Sequence, residues 1–159
     1  MSPLAFSSDC YEFIQKLNLH NVDWVIVGGE AVIYYGYIRL TGDVDFFFRS
    51  DDKNVENLLK ALYDFWDGQI PGDITRQDLK VPGYFIQFGI PPNRIDLMNR
   101  IDGVEFDNVW QNKVTESVET DNGIVKVYFI GIEELIKNKS ASGRPKDMED
   151  LNYLKKRKT

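Results

Sequence analysis

The sequence predicts an α+β protein, a mixed α/β arrangement in which one small mixed sheet is flanked by helices. Three observations predict it. Trp24–Val27 is an unbroken apolar run, followed by Gly28-Gly29, a helical stretch and a second apolar run that opens with two acids, Asp43–Phe48. Short apolar runs rich in β-branched and aromatic residues, bounded by turn signals, are buried strands. A later run, Arg94–Met98, has the same character, and apolar residues at helical spacing separate the strand-like segments. With 159 residues, 43% hydrophobic and 13% aromatic, the chain suffices for one core and not for two. Residues 1–159 are therefore expected to be a single domain with a C-terminal helical segment over 131–157.

In chain order, Asp9 followed by Glu12 resembles a capping box, and Cys10, Phe13, Ile14 and Leu17 recur at helical spacing, so a first helix ends near Asn18. His20, the sole histidine, falls in the connection that follows and is assigned no role. After strand Trp24–Val27, the helix beyond the glycine pair turns Ala31, Val32 and Tyr35 inward. Asp51 or Asp52 caps the next helix, whose Val55, Leu58, Leu59, Leu62 and Phe65 form one stripe up to Trp66. Asp67–Pro82, rich in Gly, Pro and Asp, is expected to be a loop, and Gly83–Ile90 a strand ended by Pro91-Pro92. In Arg94–Met98, strand alternation sets Ile95 and Leu97 on one face and Arg94, Asp96 and Met98 on the other. Phe106–Val114 reads as a short helix, and Ser117–Thr120 and Ile124–Phe129 as a hairpin around Asp121-Asn122-Gly123. Ile132, Leu135 and Ile136 open a helix that Ser140-Ala141-Ser142-Gly143 is expected to interrupt. Pro145 suits the first turn of a last helix running to about Lys156.

The net charge of −6 argues against a protein that coats nucleic acid through bulk electrostatics, which needs a basic surface. One cysteine, Cys10, excludes an internal disulfide framework. No apolar run follows a basic start, and none approaches the roughly 20 residues that cross a bilayer. A cytoplasmic protein with no membrane partner is expected.

The chemistry concentrates between residues 25 and 48. Asp43 and Asp45 leave the same face of a strand, their Cα atoms roughly 6 to 7 Å apart by strand rise. Two like charges among apolar residues are costly unless something positive lies between them. Gly28 and Gly29, lacking side chains, let a backbone turn and a helix N-terminus approach an anionic group. The combination reads as a site for a metal-held polyphosphate.

Gly28-Gly29, Ala31, Gly36, Arg39, Thr41, Asp43 and Asp45 together resemble the signature of the DNA polymerase β-like nucleotidyltransferase superfamily. The similarity is to its small bacterial members related to type IV toxin–antitoxin nucleotidyltransferase toxins. It extends to Ile95-Asp96-Leu97, to Ile101–Asp107 and to Lys139–Asp150, and so covers most of the chain. Tyr35 and Ile38 depart from it, standing where such members often have His and Pro. The resemblance implies a nucleotidyltransferase-like fold and a two-metal reaction, with Mg²⁺ in both positions and Mn²⁺ as a substitute. Asp43 and Asp45 would hold both ions, and Asp96 would complete the ion that activates the acceptor hydroxyl. The NTP substrate would lie near Gly28, Gly29, Arg39 and Thr41, with Lys139, Arg144 and Lys146 folding over its triphosphate. Asp147 and Asp150, one helical turn apart, are expected to fix that segment.

The function expected is Mg-dependent transfer of a nucleoside monophosphate from an NTP to a hydroxyl. The acceptor is a tRNA end or other RNA, a protein side chain, or a small molecule such as an antibiotic. RNA is favoured by the resemblance to toxin-type members, with Lys155–Lys158 as its phosphate contact; that tail also complements a helix dipole. A cognate antitoxin protein is a further expected partner. The competing class is a nucleotide-binding or toxin–antitoxin module without turnover. A calcium-binding domain fits least, because no twelve-residue loop with the required acid spacing is present.

Overall fold

A computed structural model of the protein describes residues 6–90 and 94–158. Helix α1 (Ser8–Leu19) leads into strand β1 (Trp24–Val27), helix α2 (Gly28–Tyr34), strand β2 (Asp43–Phe48) and helix α3 (Asp52–Phe65). A 3₁₀ turn (Pro71–Asp73), helix α4 (Arg76–Lys80) and strands β3 (Phe85–Phe88) and β4 (Arg94–Met98) follow. Helix α5 (Phe106–Gln111), strands β5 (Val114–Thr120) and β6 (Gly123–Phe129), and helices α6 (Ile132–Ser142) and α7 (Pro145–Lys158) complete the order.

The strands form one six-stranded mixed sheet in the order β3-β4-β2-β1-β6-β5. Central β2 is antiparallel to β1 and parallel to β4, and β1 is parallel to β6. Alternation along β2 divides the core in two. Val44, Phe46 and Phe48 pack with α1, α3 and α4 through Phe13, Leu58, Leu62 and Leu79. Phe47, on the opposite face, packs with Ala31 and Val32 of α2, Val109 of α5, Leu135 of α6 and Leu154 of α7. Helices thus cover both faces, and Asp43 and Asp45 share the second face with Phe47.

Four sequence expectations are corrected. The cap of α1 is Ser7, whose hydroxyl accepts from the Cys10 N–H, and not Asp9 with Glu12. The expected loop 67–82 contains α4, held by a capping box between Thr75 and Asp78 and anchored by fully buried Leu79. Ser140–Ser142 do not interrupt α6; the break is Gly143, which takes the left-handed conformation at the helix end. Finally, α5 stops at Gln111, and Val114 already belongs to β5, whose pairing with β6 begins at Val114–Phe129. Pro91-Pro92, expected to end the strand before β4, lie outside the described residues.

Candidate active site

The sheet register brings the three acids together. Asp43 pairs with Arg94 and Asp45 with Asp96 across the parallel β2–β4 ladder, so both strands project these side chains from one face. One carboxylate oxygen from each of Asp43, Asp45 and Asp96 lies within 4.8 Å of the others. Their environments differ. Asp96 is 3% exposed; its Oδ1 accepts from Arg94 Nε at 3.1 Å and its Oδ2 from Gln87 Nε2 of β3 at 3.3 Å. Asp43 accepts from the Thr41 hydroxyl at 3.2 Å and from Arg94 Nη2. Asp45 Oδ1 is buried and has no hydrogen-bond partner among the described residues.

Burial, then the negative charges of Asp43 and Asp96, pushes the Asp45 carboxyl up to about 8. Burial followed by its hydrogen bond to Asp43 raises Asp96 as well. Asp43 goes the other way: burial opposes ionisation, but hydrogen bonds from Asp96 and Arg94 hold it below the usual carboxylate range. The three acids share one pocket with a single bridging cation, Arg94, among the described residues, and a buried Asp45 oxygen there lacks a donor. Those properties fit an oxygen-binding divalent cation such as Mg²⁺.

The glycine pair closes one side. Gly28 has φ +67, and a Cβ on it would collide with the Asp45 carboxylate, so only glycine permits β1 to turn into α2 at this distance. A Cβ on Gly29 would lie 2.9 Å from both Arg39 Nη2 and Thr41 Oγ1. Arg39 is turned inward on Asp150: Nη2 donates to Oδ2 at 3.1 Å, and Nε lies 3.0 Å from Oδ1, off the hydrogen-bond line. Arg39, expected beside the NTP, thus forms a half-buried ion pair with the buried Asp150.

Lys139 is 3% exposed, with its amine 3.0 Å from Asp147 Oδ1 and 3.1 Å from Asp150 Oδ2. Its charge is near enough to lower Asp45. Arg144 Nε donates to Asp147 Oδ2 at 2.8 Å while its side chain stays 71% exposed, and it senses the charge of Asp45. Lys146 is exposed on the first turn of α7. Asp147 and Asp150, which the resemblance implies fix this segment, are its buried anions.

Sequence reasoning passed over Arg94 and Gln87. Strand alternation placed Arg94 on the face of Asp96, a usable signal, but contact with Asp43 depends on the β2–β4 register. His20 is remote from this chemistry, its Nε2 2.9 Å from Asp64 of α3. Beyond Phe47, on the same sheet face, a polar cleft of about 770 Å³ opens between Ser50, Asn99, Arg100, Asp102 and Lys137.

No curated protein matches the sequence. Among solved structures, the chain is similar to an antigenic nucleotidyltransferase-like protein from Paracoccidioides brasiliensis, at 20% identity and a TM-score of 0.47, over 94% of this chain and 77% of that one. A family model described as nucleotidyltransferase of unknown function (DUF6036) matches residues 8–155. That span includes the glycine pair, all three acids and the α6–α7 ion pairs, and the chain belongs to this nucleotidyltransferase family.

Proposed function

We propose that the protein transfers a nucleoside monophosphate from an NTP to a hydroxyl acceptor at the site of Asp43, Asp45 and Asp96. The observation that carries this reading is the convergence of the three carboxylates within 4.8 Å around a buried, unpartnered Asp45 oxygen. Mg²⁺ bound to these acids, as two ions with Mn²⁺ able to substitute, would neutralise phosphate charge and acidify the acceptor hydroxyl.

The chain's own groups supply position and field. Gly28 lets the β1–α2 turn lie directly against the Asp45 carboxylate, Gly29 does the same for Arg39 and Thr41, and Thr41 orients Asp43 through its hydroxyl. Arg144, exposed and close enough to sense Asp45, is the cation best placed to meet a triphosphate; Lys146 follows on the same turn. Lys139 and Arg39 act through Asp147 and Asp150, holding α6, α7 and the 36–42 segment together behind the acids. Positioning and charge complementarity supply most of the catalysis in such transfers, so the distance of His20 is no obstacle.

The polar cleft beyond Phe47, on the sheet face that carries Asp43 and Asp45, offers an acceptor room. An RNA acceptor, tRNA included, would add contacts to the basic end of α7, where Lys158 is tied to Glu133 of α6 at 2.6 Å. A cognate antitoxin belongs to the same toxin-type reading.

The test is transfer of label from each α-labelled NTP, with Mg²⁺ or Mn²⁺, to total tRNA, protein and polar small molecules. Metal-dependent labelling that disappears in Asp45→Asn is expected. If no NTP and metal combination labels any acceptor or releases pyrophosphate, the transferase reading fails and a nucleotide-binding module takes its place.

A further inference from the structure

Arg94 is the one cation in contact with the acid trio among the described residues, and the inference drawn from it rests on the metal-binding reading of that site. It opens β4 opposite Asp43, and its guanidinium spans carboxylates of two different strands, Asp43 Oδ2 through Nη2 and Asp96 Oδ1 through Nε. Thr41 and Gln87 occupy the remaining oxygens of the same two acids. The other cations nearby are engaged elsewhere: Lys139 by Asp147 and Asp150, Arg39 by Asp150, and Arg144 by Asp147. A divalent ion shared by all three acids therefore competes for carboxylates whose oxygens on Asp43 and Asp96 each already accept a hydrogen bond, two of them from the cationic Arg94.

Removing the guanidinium breaks two charge-assisted hydrogen bonds and leaves a cation without a partner at a half-buried position, an unfavourable exchange for a metal ion arriving alone. A triphosphate changes the balance, because its oxygens accept the guanidinium fork that the carboxylates release. The Arg94 side chain is 27% exposed, so its head can turn toward the open side of the site while β4 keeps its ladder. We infer that Arg94 is a displaceable counter-ion that holds Asp43 and Asp96 in place before metal binds and makes divalent-ion binding depend on the triphosphate of the nucleotide. It is a positioning residue, acting through the two acids.

The experiment measures Mn²⁺ binding, by the electron paramagnetic resonance signal of the free ion, with and without a non-hydrolysable ATP analogue. The parent, Arg94→Gln and Arg94→Lys are compared. In the parent, the analogue is expected to raise Mn²⁺ affinity by about tenfold or more, the scale of one exchanged ion pair. In Arg94→Gln, affinity without the analogue rises by about tenfold over the parent and the analogue adds little, because the competitor is gone. Arg94→Lys falls between, since one ammonium is a point charge and lacks the planar fork that spans two carboxylates. Melting in EDTA gives an independent readout: Arg94→Gln is expected to melt below the parent and to recover when Mn²⁺ is added. A folded Arg94→Gln protein that binds Mn²⁺ no more tightly than the parent overturns the inference. Should that variant fail to fold, unchanged coupling between Mn²⁺ and the analogue in Arg94→Lys overturns it equally. Absence of Mn²⁺ binding in every protein, with and without the analogue, overturns the metal site itself, whereas normal Mn²⁺ binding without nucleotide transfer leaves the counter-ion role standing.

Discussion

Asp45 shows what a single residue concedes to this site. Its half-buried carboxyl lies beside two other acids with one buried oxygen unpartnered among the described residues, so it contributes nothing to the stability of the metal-free protein that an amide could not replace. Asp45→Asn is expected to fold, with a melting temperature within about 2 °C of the parent, the range of a near-neutral substitution. Binding of NTP with Mg²⁺ should be lost in calorimetric titration; retention at parental affinity would remove Asp45 from the metal site. Gly28 poses the steric counterpart. Gly28→Ala puts a side chain at φ +67 against the Asp45 carboxylate, and should cost about 1–2 kcal/mol in urea unfolding for the left-handed conformation alone. Unlike Asp45→Asn, it is expected to lower both stability and nucleotide affinity.

At the scale of elements, the α6–α7 unit is held by charge as much as by apolar packing. Lys139 is the shared cation of Asp147 and Asp150, two carboxylates at 0% and 1% exposure. Lys139→Met leaves both short of a buried partner, and a loss of about 3–5 kcal/mol in chemical unfolding is expected, as for breaking a buried pair from one side. Burial opposes ionisation of Asp147, yet hydrogen bonds from Arg144, Ser142 and Lys139 hold its carboxyl well below the usual range. A carboxyl depressed in the folded state stabilises it fully above the unfolded value, near 3.9, and that stability disappears as pH falls through the lower folded value. Stability should therefore fall steeply below about pH 4, and Asp147→Asn should be weaker at pH 7 while flattening that acid limb. Measuring unfolding free energy between pH 7 and pH 2 checks both. Helix α4 is instructive in another way: its Thr75–Asp78 capping signal was present in the sequence, but five residues amid Gly and Pro carry too short a period to register. Burial of Leu79 under α3, a tertiary contact, makes it a helix.

For the molecule as a whole, ligand linkage and the acceptor are the measurable properties. A ligand bound only by the folded state at 100 times its dissociation constant adds about 2.7 kcal/mol, or a rise of about 5–10 °C for a domain of this size. That rise is expected with NTP and Mg²⁺ together and to be absent with NTP and EDTA in a thermal melt. The basic end of α7 decides the acceptor class. Replacing Lys155, Lys156, Arg157 and Lys158 with Ser should lower the slope of RNA affinity against salt by roughly 0.7 per lost phosphate contact to a single strand, if RNA is the acceptor. Unchanged transfer with that variant would point to a small molecule in the cleft beside Phe47. No described helix is long and apolar enough to cross a membrane.

The sequence by itself determined the alternation of strands and helices, the place of Asp43 and Asp45 on one strand face, and the need for glycine where β1 turns into α2. The first two follow from local periodicity, and the third from the left-handed turn that only glycine makes without strain. The α1 cap, α4 and the true end of α6 were misplaced because competing local signals were close in strength, and packing chose between them. Only the tertiary structure decided how the site is assembled. The parallel register of β2 with β4 sets Asp96 beside Asp45 and Arg94 beside Asp43, and the docking of α7 on α6 pairs Lys139 and Arg39 with buried carboxylates. The physical reason is that a charge's role depends on which opposite charge shares its desolvated space, and that neighbour lies 51 residues away for Arg94 and 111 for Arg39.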